Sequence, residues 1–185
     1  MRTTTRMGLL VALFALATAA VAPAGAGSSP TRHGPNIRIS GTAARGHDFG
    51  TDVATNTTEG HFIVVWEDRL RNGTYGQLVK PDGDRIKWNF RICDQGSPQV
   101  AYNSVDNQYL VVTEDLGIYG QLVDADGSRI GSTFEISGFD NGEWGVVAHN
   151  AATNHYLVVW RRWGIVGQLV DADGTLIGSS FDIDG

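Results

Sequence analysis

Two Asp-x-Asp-Gly phrases, Asp124 with Asp126 and Asp171 with Asp173, place carboxylates two residues apart, a spacing at which oxygens converge on a hard cation such as calcium. A calcium loop of the helix-flanked kind needs further oxygen ligands and a distal Glu, which Ser128 to Ile130 do not supply. A hairpin turn is therefore the favoured reading, with no cofactor or metal expected and calcium kept as the alternative. Aromatic rings are the second chemistry on offer. Trp66, Tyr75, Tyr119, Trp144, Trp160 and Trp163 are candidate ligand contacts, since indole and phenol rings at a surface stack on the apolar faces of sugars. Trp66 and Trp160 occupy equivalent positions, which equally suits packing between structural units. Trp144 and Trp163 lack aromatic counterparts and are the better candidates for function or for a subunit contact.

Catalysis finds no comparable support. Hydrolysis of a glycoside needs two carboxylates across a cleft, one with a raised pKa, and no spacing singles out such a pair. Glu67-Asp68 and Glu114-Asp115 read as solvated loop charges that pair between units, and the third copy replaces them with Arg161-Arg162. His33, His47, His61, His149 and His155 are scattered, and neither a Gly-x-Ser-x-Gly elbow nor a phosphate-binding glycine loop is present. Asn56-Thr57-Thr58 and Asn72-Gly73-Thr74 are sequons that mark exposed loops. Cys93 is the single cysteine, so no internal disulfide forms and the fold rests on apolar burial.

The elements that position these residues repeat. Ile63-Val64-Val65-Trp66, Leu110-Val111-Val112-Thr113 and Leu157-Val158-Val159-Trp160 follow one another at spacings of 47 and 47. Gly-Gln-Leu-Val recurs from Gly76, Gly120 and Gly167, at spacings of 44 and 47, because the first copy has three extra residues within Arg69 to Thr74. Each is followed by an acidic Gly turn and a short strand around Phe90, Phe134 or Phe181. Each unit reads as four short antiparallel strands, and the non-alternating run Tyr109 to Thr113 suits a sheet covered on both faces. Units of this length and strand count are those of a propeller blade. Gln77, Gln121 and Gln168 recur inside the third strand as hydrogen-bonding groups between neighbouring strands or blades.

The expected fold is therefore all-β: tandem four-stranded antiparallel blades, β-propeller-like, three blades plus a lone leading strand at 36–40, with repeats at about 41–93, 94–137 and 138–185. A propeller closes with about four blades or more, so the array is either incomplete or completed by a second copy. Ahead of it, residues 1–26 read as an export signal, with Arg2 and Arg6 before the apolar stretch Gly8 to Val21, and 27–35 as a flexible leader. Removing the signal takes away two bases and no acid, which deepens a formal net charge of −6. An acidic chain without a basic run disfavours nucleic acid as a partner, and nothing beyond the signal is long and apolar enough to span a membrane.

Tyr-Leu-Val-Val-Trp at 156–160, Ile-Tyr-Gly-Gln-Leu-Val-Asp-Ala-Asp-Gly at 118–127 and Ile-Gly-Ser-Thr-Phe-Glu-Ile-Ser at 130–137 resemble a repeat family of secreted bacterial proteins of β-propeller form, often joined to other extracellular modules. The resemblance implies architecture and export and carries no catalytic motif. The first copy departs most, with Lys80-Pro81 in its turn and Trp88 set against Gly131 and Gly178. The functional expectation is a secreted, non-enzymatic binding or scaffold module whose partner is an extracellular glycan or surface polymer. The alternative is a structural fragment of a larger secreted enzyme or adhesin.

Overall fold

The computed structural model describes residues 39, 48–138 and 142–184. The expected export signal, the expected leader and all of the expected lone strand except Ile39 lie outside them, and Ile39 itself belongs to no strand.

Twelve strands form three four-stranded antiparallel sheets, each ordered as in the sequence, and no helix occurs among the described residues. The first sheet holds β1 (Asp48–Asn56), β2 (His61–Asp68), β3 (Gly73–Val79) and β4 (Arg85–Cys93). The second holds β5 (Gly96–Asn103), β6 (Gln108–Glu114), β7 (Ile118–Asp124) and β8 (Arg129–Glu135). The third holds β9 (Glu143–Asn150), β10 (His155–Arg161), β11 (Ile165–Asp171) and β12 (Leu176–Asp182). Successive sheets meet chiefly through their first strands, β1 against β5 and β5 against β9, and only lightly farther out. That is the fan of propeller blades, here without closure.

The recurring phrases explain themselves in this geometry. In Gly-Gln-Leu-Val, the glycine lies under the Phe ring of the next strand: a Cβ at Gly120 would stand 2.6 Å from the Phe134 ring. The register between third and fourth strands then slips at 120/122, as at 76/78 and 167/169. The Gln side chain fills that gap, and Gln121 donates from Nε2 to the carbonyls of Leu122 (2.9 Å) and Ile130 (3.0 Å). Gln77 and Gln168 repeat the pattern. Leu and Val then point to opposite faces, as alternate strand residues must. Leu122 joins the core toward the third sheet and Val123 the core toward the first.

The residue after the slip takes a left-handed backbone, with φ of 65° at Gly131 and 67° at Gly178. In the first sheet that position belongs to Lys87 (φ 61°), because Ile86 occupies the place of Ile130 opposite the Gln. The sequence alignment that set Trp88 against Gly131 and Gly178 is thus one residue out, and Trp88 is an exposed outward residue of β4.

Two cores bind the three sheets. The first joins Ile63, Val65 and Leu78 to Val100, Tyr109 and Val111; the second joins Leu110, Val112 and Leu122 to Tyr156, Val158 and Trp160. β6 is buried on both faces along nearly its whole length, as its run of apolar residues requires, and β3 is buried to the same extent. Cys93 lies in the first core, and burial pushes its thiol pKa up.

Candidate functional site

Polar contacts knit the sheets at both ends of the strands. At the end carrying the first turn of each unit, Asn56 donates to Asn107 (2.9 Å), and Asn107 donates back to Glu59 (3.0 Å). Asn103, Asn154 and Asp106 repeat this one unit later. His61 Nε2 meets the Tyr109 hydroxyl at 3.0 Å. Sequence reading misses this ladder, because Asn in such turns already has a local role: Asn56 and Asn103 each accept two turn N–H groups.

At the opposite end, Glu67 accepts the Ser97 N–H (3.3 Å) and Glu114 accepts the Trp144 N–H (2.9 Å), so both glutamates bridge adjacent sheets. Their neighbour Asp68, expected to be a solvated charge, is instead buried, and its Oδ1 accepts from Leu70 and Arg71 in the turn. The acidic turns also consume their carboxylates locally. Asp124 accepts from Ala125, Asp126 from Ser128, Asp171 from Ala172 and Asp173 from Thr175. Hydrogen bonds from Ser128 hold Asp126 below its ordinary pKa, and those from Thr175 do the same for Asp173. No group of three or more metal-ligating side chains occurs among the described residues.

The aromatic candidates divide into two sets. Trp66 and Trp160 are both buried, Trp160 in the core between the second and third sheets, and Trp66 against Tyr75 of its own sheet with ring centroids 6.5 Å apart. Tyr119, in β7, is half-buried. Trp144 and Trp163 are 68% and 99% exposed and lie at the same end of the third sheet, because Arg161 pairs with Glu143 across one ladder and with Ile165 across the other. Trp144 has a left-handed backbone, φ 57°, at the bulge where the earlier units have Gly50 (φ 45°) and Ser97 (φ 50°). A bulky residue there carries strain that glycine avoids, and such strain concentrates at functional positions.

A polar setting surrounds Trp144. The Arg161 guanidinium lies 5.0 Å from the centre of its ring and donates to Glu143 at 3.2 Å. Beside it, a cleft of about 380 Å³ runs between the second and third sheets, lined by Glu114, Leu116, Gly142 and Glu143. Gly142 sits on the buried Trp160 indole, whose Nε1 has no hydrogen-bond partner; a Cβ at Gly142 would stand 2.8 Å from that ring. The region thus offers two carboxylates, a guanidinium and an exposed indole on one rim.

Fold and rim together define a propeller-type array of four-stranded antiparallel sheets with an aromatic, charged edge. No family model matches the chain, and no curated protein does. Among solved structures it is similar to a protein of unknown function from Bacteroides caccae, with 17% identity and a TM-score of 0.50 over 72% of this chain and 46% of that one. The likeness is one of fold, and the chain spans about half the length of that protein.

Proposed function

We propose that the chain is an exported, non-enzymatic binding module that holds a carbohydrate or similar polyhydroxylated surface polymer at the Trp144 rim. The observation that carries this reading is Trp144 itself: a large ring kept in a left-handed backbone and exposed, where the two equivalent positions hold Gly50 and Ser97. A sugar ring presents apolar C–H faces to an indole and hydroxyls to charged groups; Glu143 and Glu114 line the cleft beside it, and Arg161 donates to Glu143. The unpartnered Trp160 N–H under Gly142 is a further donor for a hydroxyl that enters there.

Polysaccharide pull-down and glycan-array binding test this directly. Trp144→Gly and Trp163→Ala should each weaken retention, the pair should abolish it, and Trp88→Ala, on a distant exposed strand, should leave it unchanged. Retention that survives the double replacement removes the rim from consideration. The second reading, a structural segment of a larger exported protein or assembly, draws on the apolar side chains left open on the first and third sheets.

A further inference from the structure

The two cores are one interface used twice. In each, a trailing face of one sheet covers the leading face of the next, and the side chains correspond position by position. Ile63 and Leu110 are 0% exposed on trailing faces, whereas Leu157, their equivalent on the third sheet, is 36% exposed. Ile183 is likewise open where Ile92 and Ile136 are buried. On the first sheet the leading face is open in part: Val53 is 56% exposed where Val100 is 6%, and Phe62 and Val64 are half-buried where Tyr109 and Val111 are covered, while Trp66 and Val79 on that face stay buried. The chain therefore carries one unused copy of each half of an interface that it makes twice.

The polar residues change on both unused halves together. Thr153 stands where Glu59 and Asp106 supply the acid of the ladder, and Gly60 stands where Asn107 and Asn154 meet it. Phe62 replaces the Tyr109 and Tyr156 phenols. Joined to each other, these two faces strand no acid, because Thr153 and Gly60 together remove the carboxylate and the amide that would meet it; the Asn150 amide, equivalent to Asn56 and Asn103, then turns to solvent. At the other end, Arg161 replaces the bridging glutamates Glu67 and Glu114, and the leading face opens at Asp48, whose Oδ1 is buried without a partner. The charge reversal suits an Arg-to-carboxylate contact at this junction.

We infer that the trailing face of the third sheet docks on the leading face of the first sheet in a second copy, and reciprocally, closing a two-fold ring of six sheets. Six falls inside the usual range of about four to eight for closed propellers. The contact is heterologous, so reciprocity is what closes it.

Sedimentation and light scattering of the purified chain over a wide concentration range test this, with twice the chain mass expected. Leu157→Glu and Val53→Glu each spoil both junctions of a homogeneous pair and should raise its dissociation constant by at least about tenfold. An equimolar mixture of the two variants keeps one intact junction and should regain dimers that neither forms alone. Ile183→Lys, at an exposed site, repeats the trailing-face test should Leu157→Glu fail to fold by circular dichroism. A wild-type monomer at every concentration overturns the inference. So does a dimer indifferent to folded variants of both faces, a mixture that fails to complement, or growth into open chains beyond two copies.

Discussion

Glycine has two distinct uses here, and substitution separates them. Gly131 takes φ 65° with no atom within 4 Å of where a Cβ would lie, so Gly131→Ala meets backbone strain alone and should cost about 1 kcal/mol. Gly120 lies beneath Phe134, and Gly120→Ala drives a Cβ to within 2.6 Å of the ring. The overpacking should cost about 1–3 kcal/mol, with part recovered on pairing with Phe134→Leu. Denaturant midpoints of the three proteins decide the matter, and equal losses for the two single variants would contradict it. Trp144→Gly sets stability against binding: it should raise stability by up to about 1 kcal/mol by releasing left-handed strain while weakening ligand retention. The sequence shows Trp144 as an irregular aromatic but not its backbone, since a period of two carries no mark of which residue absorbs a bulge. The same blindness set Trp88 where Lys87 belongs.

At the scale of the strand, the apolar runs and acidic Gly turns are legible because each has one physical solution: a pleated surface covered by neighbours, or a tight reversal with Gly at φ near 90°, as at Gly127 and Gly174. The contacts between units are less legible. Asn56 and Asn103 look like turn residues and are turn residues; their second role requires a neighbouring sheet 51 residues along the chain. Tyrosines on the same faces make that packing sensitive to pH. Burial pushes the Tyr156 phenol to about 12 against an ordinary 10.0, and pushes Tyr109 up likewise. An acid whose folded pKa is raised favours the fold fully below its unfolded pKa. Stability should therefore fall as pH rises from 10 toward 12, by on the order of 2 kcal/mol for Tyr156. Tyr156→Phe, which copies Phe62 of the first unit, should change little at neutral pH and flatten that alkaline loss. Urea midpoints at pH 8 and pH 11 for both proteins measure it, and an unchanged alkaline slope would refute the assignment to Tyr156.

At the scale of the whole array, stability follows from how many faces each sheet has covered. The second sheet contributes to both cores, so opening it exposes Leu110 and Val112 on one side and Tyr109 and Val111 on the other. The outer sheets each lose one face. In a linear array, local stability is the sum of a unit's own terms and those of its neighbours, so the central unit gains two interface terms and each end gains one. Amide hydrogen exchange should then be slowest in β6 and its partners β5 and β7. The third sheet should exchange faster than the second, with β12 fastest, because six of its seven residues are exposed. Closure into a ring of two chains removes the distinction, since every sheet then has two neighbours. Protection of β10 should rise toward that of β6 as concentration carries the chain from monomer to pair, whereas side chains on β12 outside the junction gain little. Exchange measured at two concentrations thus separates an open array from a closed one strand by strand, and equal protection of β6 and β10 in the dilute monomer would show that neighbour count does not govern stability here.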